Sequence, residues 1–350
     1  MLRQFCFYRA LTVLLCFNLL CGCESIGFYQ QALFGQIEIL IKREPIQNII
    51  RNAETEPPLK ERLILVEDVR AYAENDLGFP VGNSYATYVD TGRAFVVWNV
   101  FAAPEFSLDA IEWCFPIAGC VSYRGYFHRE RAEKLATSLK AEGNDVFVGG
   151  VSAYSTLGWF SDPVLNTFLK RSESKLAALI FHELAHKILY LPGDSVFNES
   201  FATAVENEAL RRWLNDKQRP RIYQQAIDEQ RRRSEFVTLV DSYRSRLRSL
   251  YSQPLDDAEK RERKQAVIQQ LREDYRVLKS KWYGHADFDN WVSSEINNAK
   301  IATISTYHKL VPAFNRLLRD SGGDLRIFLT KCKDLASKEK AERDRLLGLE

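Results

Sequence analysis

Residues 182–186 read His-Glu-Leu-Ala-His, and this pentapeptide constrains the chain more than any other feature of it. Histidines four apart project from one side of a helix, so both imidazoles can reach a single metal ion. Glu183, roughly 100° around the axis, then faces the water that the metal would activate. The flanks are Leu179-Ile180-Phe181 and Leu184-Ala185, so the charged trio rides on an otherwise apolar helix, where burying it without a partner such as a metal is costly. The chain has five histidines, and two of them fall in this frame. A catalytic zinc keeps three protein ligands and an open fourth position, so one further ligand is required.

Two acids compete for that place, Glu199 and Glu206, in the run Asn198-Glu199-Ser200-Phe201-Ala202-Thr203-Ala204-Val205-Glu206. Nineteen residues separate His186 from Glu206, close to the separation in thermolysin-like zinc peptidases, and twelve separate it from Glu199. The local sequence favours Glu199. Asn198-Glu199-Ser200-Phe201-Ala202 with Glu206 resembles the Asn-Glu-Gly-Phe-Ala run of gluzincin-type aminopeptidases, which carry a second glutamate seven residues after the ligand. Loops accept length changes more readily than metal helices accept re-registering. The expected ligand set is therefore His182, His186 and Glu199 around Zn²⁺, with Glu206 behind it or at the substrate amine.

The composition, 350 residues with a formal charge of +2 and no one-sign block of Lys and Arg, fits one or two globular domains and gives no footprint for nucleic acid. The first residues differ. Arg3 and Arg9 precede the apolar run Leu11 to Leu20, an export signal too short for a comfortable membrane span. It closes on Leu20-Cys21-Gly22-Cys23, which resembles the bacterial lipobox, although cysteine at its second position is a departure. That resemblance implies cleavage after residue 22, lipidation of Cys23 and a lipid anchor. Glu24 follows, where an inner-membrane retention signal prefers Asp, so the resemblance to sorted lipoproteins points to the periplasmic face of the outer membrane. In an oxidising compartment Cys114 and Cys120 could form a disulfide, or remain two buried thiols, leaving Cys332 unpaired.

Helical periodicity covers about residues 27–42 and 59–77, separated by Glu54-Thr55-Glu56-Pro57-Pro58. Ser84–Val89 and Ala94–Phe101 are β-rich and joined by Asp90-Thr91-Gly92, which predicts a hairpin. A further strand is expected over Asp145–Val151, after a helix over His128–Ala141. The motif helix should start near Ser172 and end before Pro192-Gly193, and the helix bearing Glu199 should start around Asn198. In residues 217–282, Phe236, Val240, Tyr243, Leu247 and Leu250 step by four and three, as do Ile268, Leu271, Tyr275, Leu278 and Trp282. These heptad seams predict a helical hairpin, as a plain insertion or as a site for a protein partner. Gly322-Gly323 marks a turn between the last helices. The expected fold is α+β and predominantly helical. It has a zincin-like core with a small sheet, divided into residues 23–216, the hairpin 217–282, and 283–350 completing the catalytic part.

The chain also resembles a family of exported bacterial lipoproteins described as predicted aminopeptidases. The resemblance rests on Cys23 with Gly27-Phe28-Tyr29-Gln30-Gln31-Ala32, on Pro116 to Phe127, on Ala153 to Asn166, and on the two metal helices. It implies zinc-dependent cleavage of peptides from a free N-terminus, with Glu183 as general base. Related enzymes use a later Tyr or His as an oxyanion donor, for which Tyr307 and His308 are the candidates. An acid must hold the substrate amine, and Glu206, Asp162 and Glu130 could serve. The segment Tyr154 to Asn166 could bind a substrate backbone as an extended strand, and Tyr123-Arg124-Gly125-Tyr126 could line the cleft. A zinc endopeptidase of the envelope and a non-catalytic scaffold with a structural metal are the alternative readings.

Overall fold

The computed structural model describes residues 27–115, 119–153, 161–305 and 310–348. The expected export signal, Cys23, Tyr154 to Phe160, Tyr307 and His308 lie outside the described residues.

The described chain opens with helix α1 over residues 27–41, followed by β1 (Glu44–Pro45), α2 (Ile46–Arg51) and α3 (Pro57–Asn75). Pro57 and Pro58 occupy the first turn of α3, where a missing N–H costs nothing. Next come β2 (Thr87–Val89), β3 (Val97–Pro104), β4 (Trp113–Phe115), β5 (Gly119–Val121), β6 (Arg124–Tyr126), α4 (Arg129–Ala141) and β7 (Asn144–Val151). The site-bearing stretch is β8 (Val164–Leu165), α5 (Asn166–Leu169), α6 (Glu173–Ile188) and α7 (Ser195–Asp216). Two long helices, α8 (Pro220–Tyr251) and α9 (Asp257–Ser280), are followed by α10 (Asp289–Ser293), α11 (Asn298–Ser305), α12 (Val311–Arg319), α13 (Leu325–Ala336) and α14 (Lys340–Leu347). The fold is thus α+β and predominantly helical, with small sheets.

β3 is the centre of one sheet, ordered β6-β3-β7 and antiparallel throughout, with Val97 opposite Val151 and Pro104 opposite Asn144. Alternation along β3 sends Val100 and Ala102 against Ala132, Ala136 and Leu139 of α4. The hairpin expected between residues 84 and 101 does not form. β2 pairs antiparallel with β1 and parallel with β8, in a different sheet from β3. The intervening segment is instead held to α5: the Thr91 N–H and hydroxyl both donate to Asn166 Oδ1 at 2.9 Å, and Asn166 Nδ2 donates to Arg93 O at 3.2 Å. Asp90 and Gly92, at φ +63°, do make a turn, but it passes the chain from one sheet to the other. Val164 and Leu165, expected in an open substrate-binding strand, are buried at 0% and 2% exposure against β2. β4 and β5 form a separate ribbon in which Cys114 faces Cys120 and is disulfide-bonded to it, while Cys332 is free and buried.

α8 and α9 form the hairpin whose two seams face each other. Phe236, Val240, Tyr243, Leu247, Leu250, Ile268, Leu271, Tyr275 and Trp282 are buried in one cluster with Val292, Ile296 and Ile301. The hairpin lies against the β3–β7 sheet and does not protrude as a bare stalk. Lys264 Nζ donates to Asp145 Oδ2 at 2.6 Å and to Glu105 O at 2.9 Å, and the Asn298 side chain bonds Pro104 O, Glu105 O and the Tyr251 hydroxyl. The break falls at Ser252–Asp256, and Asp256 caps α9 by accepting from Glu259 N.

Candidate metal centre

α6 and α7 are antiparallel neighbours joined by a short loop, and their sequences explain their contact. Leu176, Ala177, Ile180, Phe181, Leu184 and Ala185 bury one face of α6, and Phe197, Phe201, Ala202, Val205 and Ala209 bury the matching face of α7. The small Ala177, Ala185, Ala202 and Ala209 let the helices approach. Asp194 caps α7 by accepting from Phe197 N at 3.1 Å and is itself held by Arg343 at 2.5 Å. Asn198, the residue before the candidate ligand, closes the loop with both ends of its amide: it accepts from Leu191 N at 2.8 Å and donates to Leu191 O at 2.7 Å. Phe201 stacks between Phe197 and Phe328, with Phe314 edge-on. These contacts fix the first turn of α7 and hence the position of Glu199.

His182, His186 and Glu199 each offer one donor atom, and these atoms lie within 4.8 Å of one another. His182 Nε2 is 3.2 Å from Glu199 Oε2, and His186 Nε2 is 3.7 Å from Glu199 Oε1. The two imidazole planes stand at 83° with centroids 5.0 Å apart. Glu206 takes the other side of His182, where Nδ1 donates to its Oε2 at 2.9 Å. The two competing acids are thus separated by which ring nitrogen they meet. A tetrahedral ion with bonds near 2.0–2.1 Å separates its ligand atoms by roughly 3.3 Å; the Glu199 carboxylate meets the two rings at 3.2 and 3.7 Å through different oxygens, and the three ligand atoms taken one per residue lie within 4.8 Å. Two imidazoles and a carboxylate also suit zinc chemically.

Burial works against charge on His182, but the hydrogen bonds it donates to Glu199 and Glu206, with the charges of Glu206 and Glu183, push its pKa up to about 10. His186 is pushed down to about 4 by burial and by the neighbouring charge on His182. One ring carries a positive charge at neutral pH and the other does not.

Phenols surround the cluster. Burial first, and then the charges of Glu199, Tyr190 and Glu183, raise the Tyr123 pKa. Burial and Glu199 do the same for Tyr190, whose ring meets His186 edge-on at 6.2 Å. Both therefore remain hydrogen-bond donors at neutral pH. Tyr85 is held at φ +60°, a left-handed conformation that costs an aromatic residue on the order of 1–3 kcal/mol. Its N–H donates to Asp162 O at 2.7 Å, and its buried hydroxyl is kept protonated by burial and by the charges of Glu183 and Asp162.

Sequence reading placed Tyr123 at the cleft and missed Tyr85 and Tyr190. Tyr190 comes two residues after the motif helix, beyond the extended Leu189, so helix periodicity alone does not bring it to His186. Nothing in the sequence marks Tyr85, whose position depends on the crossing of β2 with β8. Glu130 stands at the exposed start of α4 and nothing brings it to the cluster.

A family described as "Putative aminopeptidase" matches residues 27–347. The chain belongs to this family. The match spans the β3–β7 sheet, both site helices, the α8–α9 hairpin and the C-terminal helices, so the hairpin falls within the family's extent. No curated protein and no solved structure shows significant similarity to the chain.

Proposed function

We propose that this aminopeptidase-family member is a zinc-dependent exopeptidase with a zincin-like core, held to the envelope by a lipid on Cys23. The observation that carries the reading is the convergence of His182 Nε2, His186 Nε2 and a Glu199 oxygen from two packed helices, with Glu183 on the same helix as both histidines. Those three residues would hold Zn²⁺, which when bound supplies Lewis acidity and a water that ionises near neutral pH. Glu206 holds His182 in the tautomer that presents Nε2 to the cluster, as carboxylate partners of ligating histidines do. Glu183 accepts the proton of the attacking water and returns it to the leaving amine. The Tyr123 phenol, close enough to Glu199 and Glu183 to feel their charges, would donate to the developing oxyanion, a role for which Tyr307 and His308 are the other candidates. With Glu206 committed to His182, Asp162, whose charge like that of Glu183 acts on Tyr85, is the acid assigned to the substrate's free amine. The α8–α9 seams are filled from within the chain, so a protein partner at the hairpin would meet its polar outer faces. The Cys114–Cys120 disulfide supports an oxidising compartment, and hence export; the outer-membrane placement rests on Glu24 after Cys23.

The exopeptidase assignment is tested with paired fluorogenic peptides that differ only in an acetyl group at the N-terminus. Cleavage confined to the unblocked member is expected; efficient cleavage of the blocked one would instead assign an endopeptidase.

Metal loading has a pH signature. Ligands must be deprotonated before coordination. His186 already is at pH 7, whereas His182, with a pKa near 10, holds its proton. Zinc binding to metal-free protein at pH 7 should therefore release about one proton, and its apparent affinity should rise with pH up to about pH 10. Calorimetry in buffers of different ionisation enthalpy reads the proton count directly; no release would contradict this picture of His182.

A further inference from the structure

Among the described residues, helix α1 is docked by one face and bare on the other. On the docked face, Gln31 Oε1 accepts from Phe127 N at 3.0 Å and Gln31 Nε2 donates to Gly125 O at 3.3 Å. Ile39 is buried, and Gly35 lies so close to Phe127 that a Cβ there would fall 2.2 Å from the ring. The opposite face carries Tyr29, Leu33, Phe34, Ile37 and Ile41, exposed at 48, 60, 67, 37 and 78%. Among the described residues, these five stand beside only six other exposed large apolar side chains, which are spread over the rest of the chain. Their spacing of four, one, three and four makes them one continuous stripe, and contiguous apolar surface of this kind marks a binding face.

We propose that this face of α1 lies in the surface of a lipid bilayer. The inference rests on the Cys23 anchor of the preceding section. Three residues lie between Cys23 and Gly27, the first described residue of the helix, so the two are at most about 14 Å apart. An acyl chain on Cys23 therefore keeps the N-terminus of α1 at the headgroup level. The bare face holds no acidic residue that anionic headgroups would repel: Glu38 is turned aside, paired with Lys42 at 2.8 Å and with Arg93 at 3.3 Å. An apolar helix face beside a lipid anchor adds its own contact with the bilayer and sets the orientation of the helix in the interface. The same helix grips Gly125 and Phe127, at and just beyond β6, a few residues from Tyr123 at the metal cluster. Membrane contact would thus fix the distance of the cleft from the bilayer.

The test uses the full chain expressed in bacteria, purified from membranes and returned to phosphatidylethanolamine/phosphatidylglycerol vesicles. An environment-sensitive dansyl side chain replaces Gln30, which is exposed on the same face, and in a second sample Val277, exposed on α9. With brominated acyl chains the dansyl group at position 30 should lose about half its emission, because such a face sits 5–10 Å into the interface, while the one at 277 stays bright. Adding Leu33→Ser and Phe34→Ser should remove the quenching at 30. Equal brightness at the two positions would overturn the proposal, as would emission changes at 30 that report a second copy of the chain in unbrominated vesicles. The mass of the mature N-terminus reads the anchor separately. Acylated Cys23 without quenching refutes the face and leaves the anchor; quenching without an acyl group does the reverse.

Discussion

Glu183→Gln should lower kcat/KM for an unblocked aminoacyl substrate by about 10²–10⁴-fold while leaving the fold and the zinc content unchanged. Glutamine keeps the shape and volume of the side chain, so α6 retains its packing against α7. What it loses is the ability to take a proton from water and deliver it to the leaving amine. The separation of effects matters more than the size of the loss. Glu183 is not among the three residues whose donor atoms converge, so metal content measured beside activity should divide cleanly. A variant that keeps both zinc and full activity would remove Glu183 from the reaction, and one that loses zinc would make it a ligand.

The second large effect concerns the two glutamates of α7. Glu199→Ala removes the carboxylate whose Oε2 lies 3.2 Å from His182 Nε2 and whose Oε1 lies 3.7 Å from His186 Nε2, and zinc affinity should fall by more than about 10²-fold, with activity lost in parallel. Glu206→Gln keeps an oxygen near His182 Nδ1 but withdraws the charge, and should cost about 10–100-fold in affinity, the usual effect of losing the outer partner of a ligating histidine. Activity in that variant should return when zinc is raised. Titration of the metal-free variants against a zinc-buffered competitor checks the order. Glu206→Gln proving the more damaging would exchange the roles of the two acids.

That order was open to a reader of the sequence only in part. Spacing from His186 argued for Glu206, and the Asn-Glu-x-Phe-Ala run argued for Glu199. The structure shows what the run does physically: Asn198 closes a short loop on Leu191, and Phe201 and Ala202 seat the helix. The heptad seams of α8 and α9 and the strand over Asp145–Val151 were legible, because periodicity reports on which face is buried, whereas the pairing of that strand with β3 was not. The failed hairpin at residues 84–101 has a different cause. Its turn residues were read correctly, but a turn does not specify partners, and the parallel pairing of β2 with β8 joins residues some 75 apart in sequence. Tyr85 was missed for the same reason, since only that crossing carries it to Glu183 and Asp162. The bare face of α1 was visible as a helix but not as a surface, because an apolar helix in sequence is ordinarily a buried one.

The central claim is that one zinc ion is held by His182, His186 and Glu199 with a position left open. X-ray absorption at the zinc edge, on protein with its metal content measured, tests it most directly. About one zinc per chain, with two imidazoles and oxygen donors at roughly 2.0–2.2 Å and one imidazole lost in His186→Ala, is the predicted result. A chain that binds no zinc, or a zinc closed by sulfur or by four protein ligands, would contradict it.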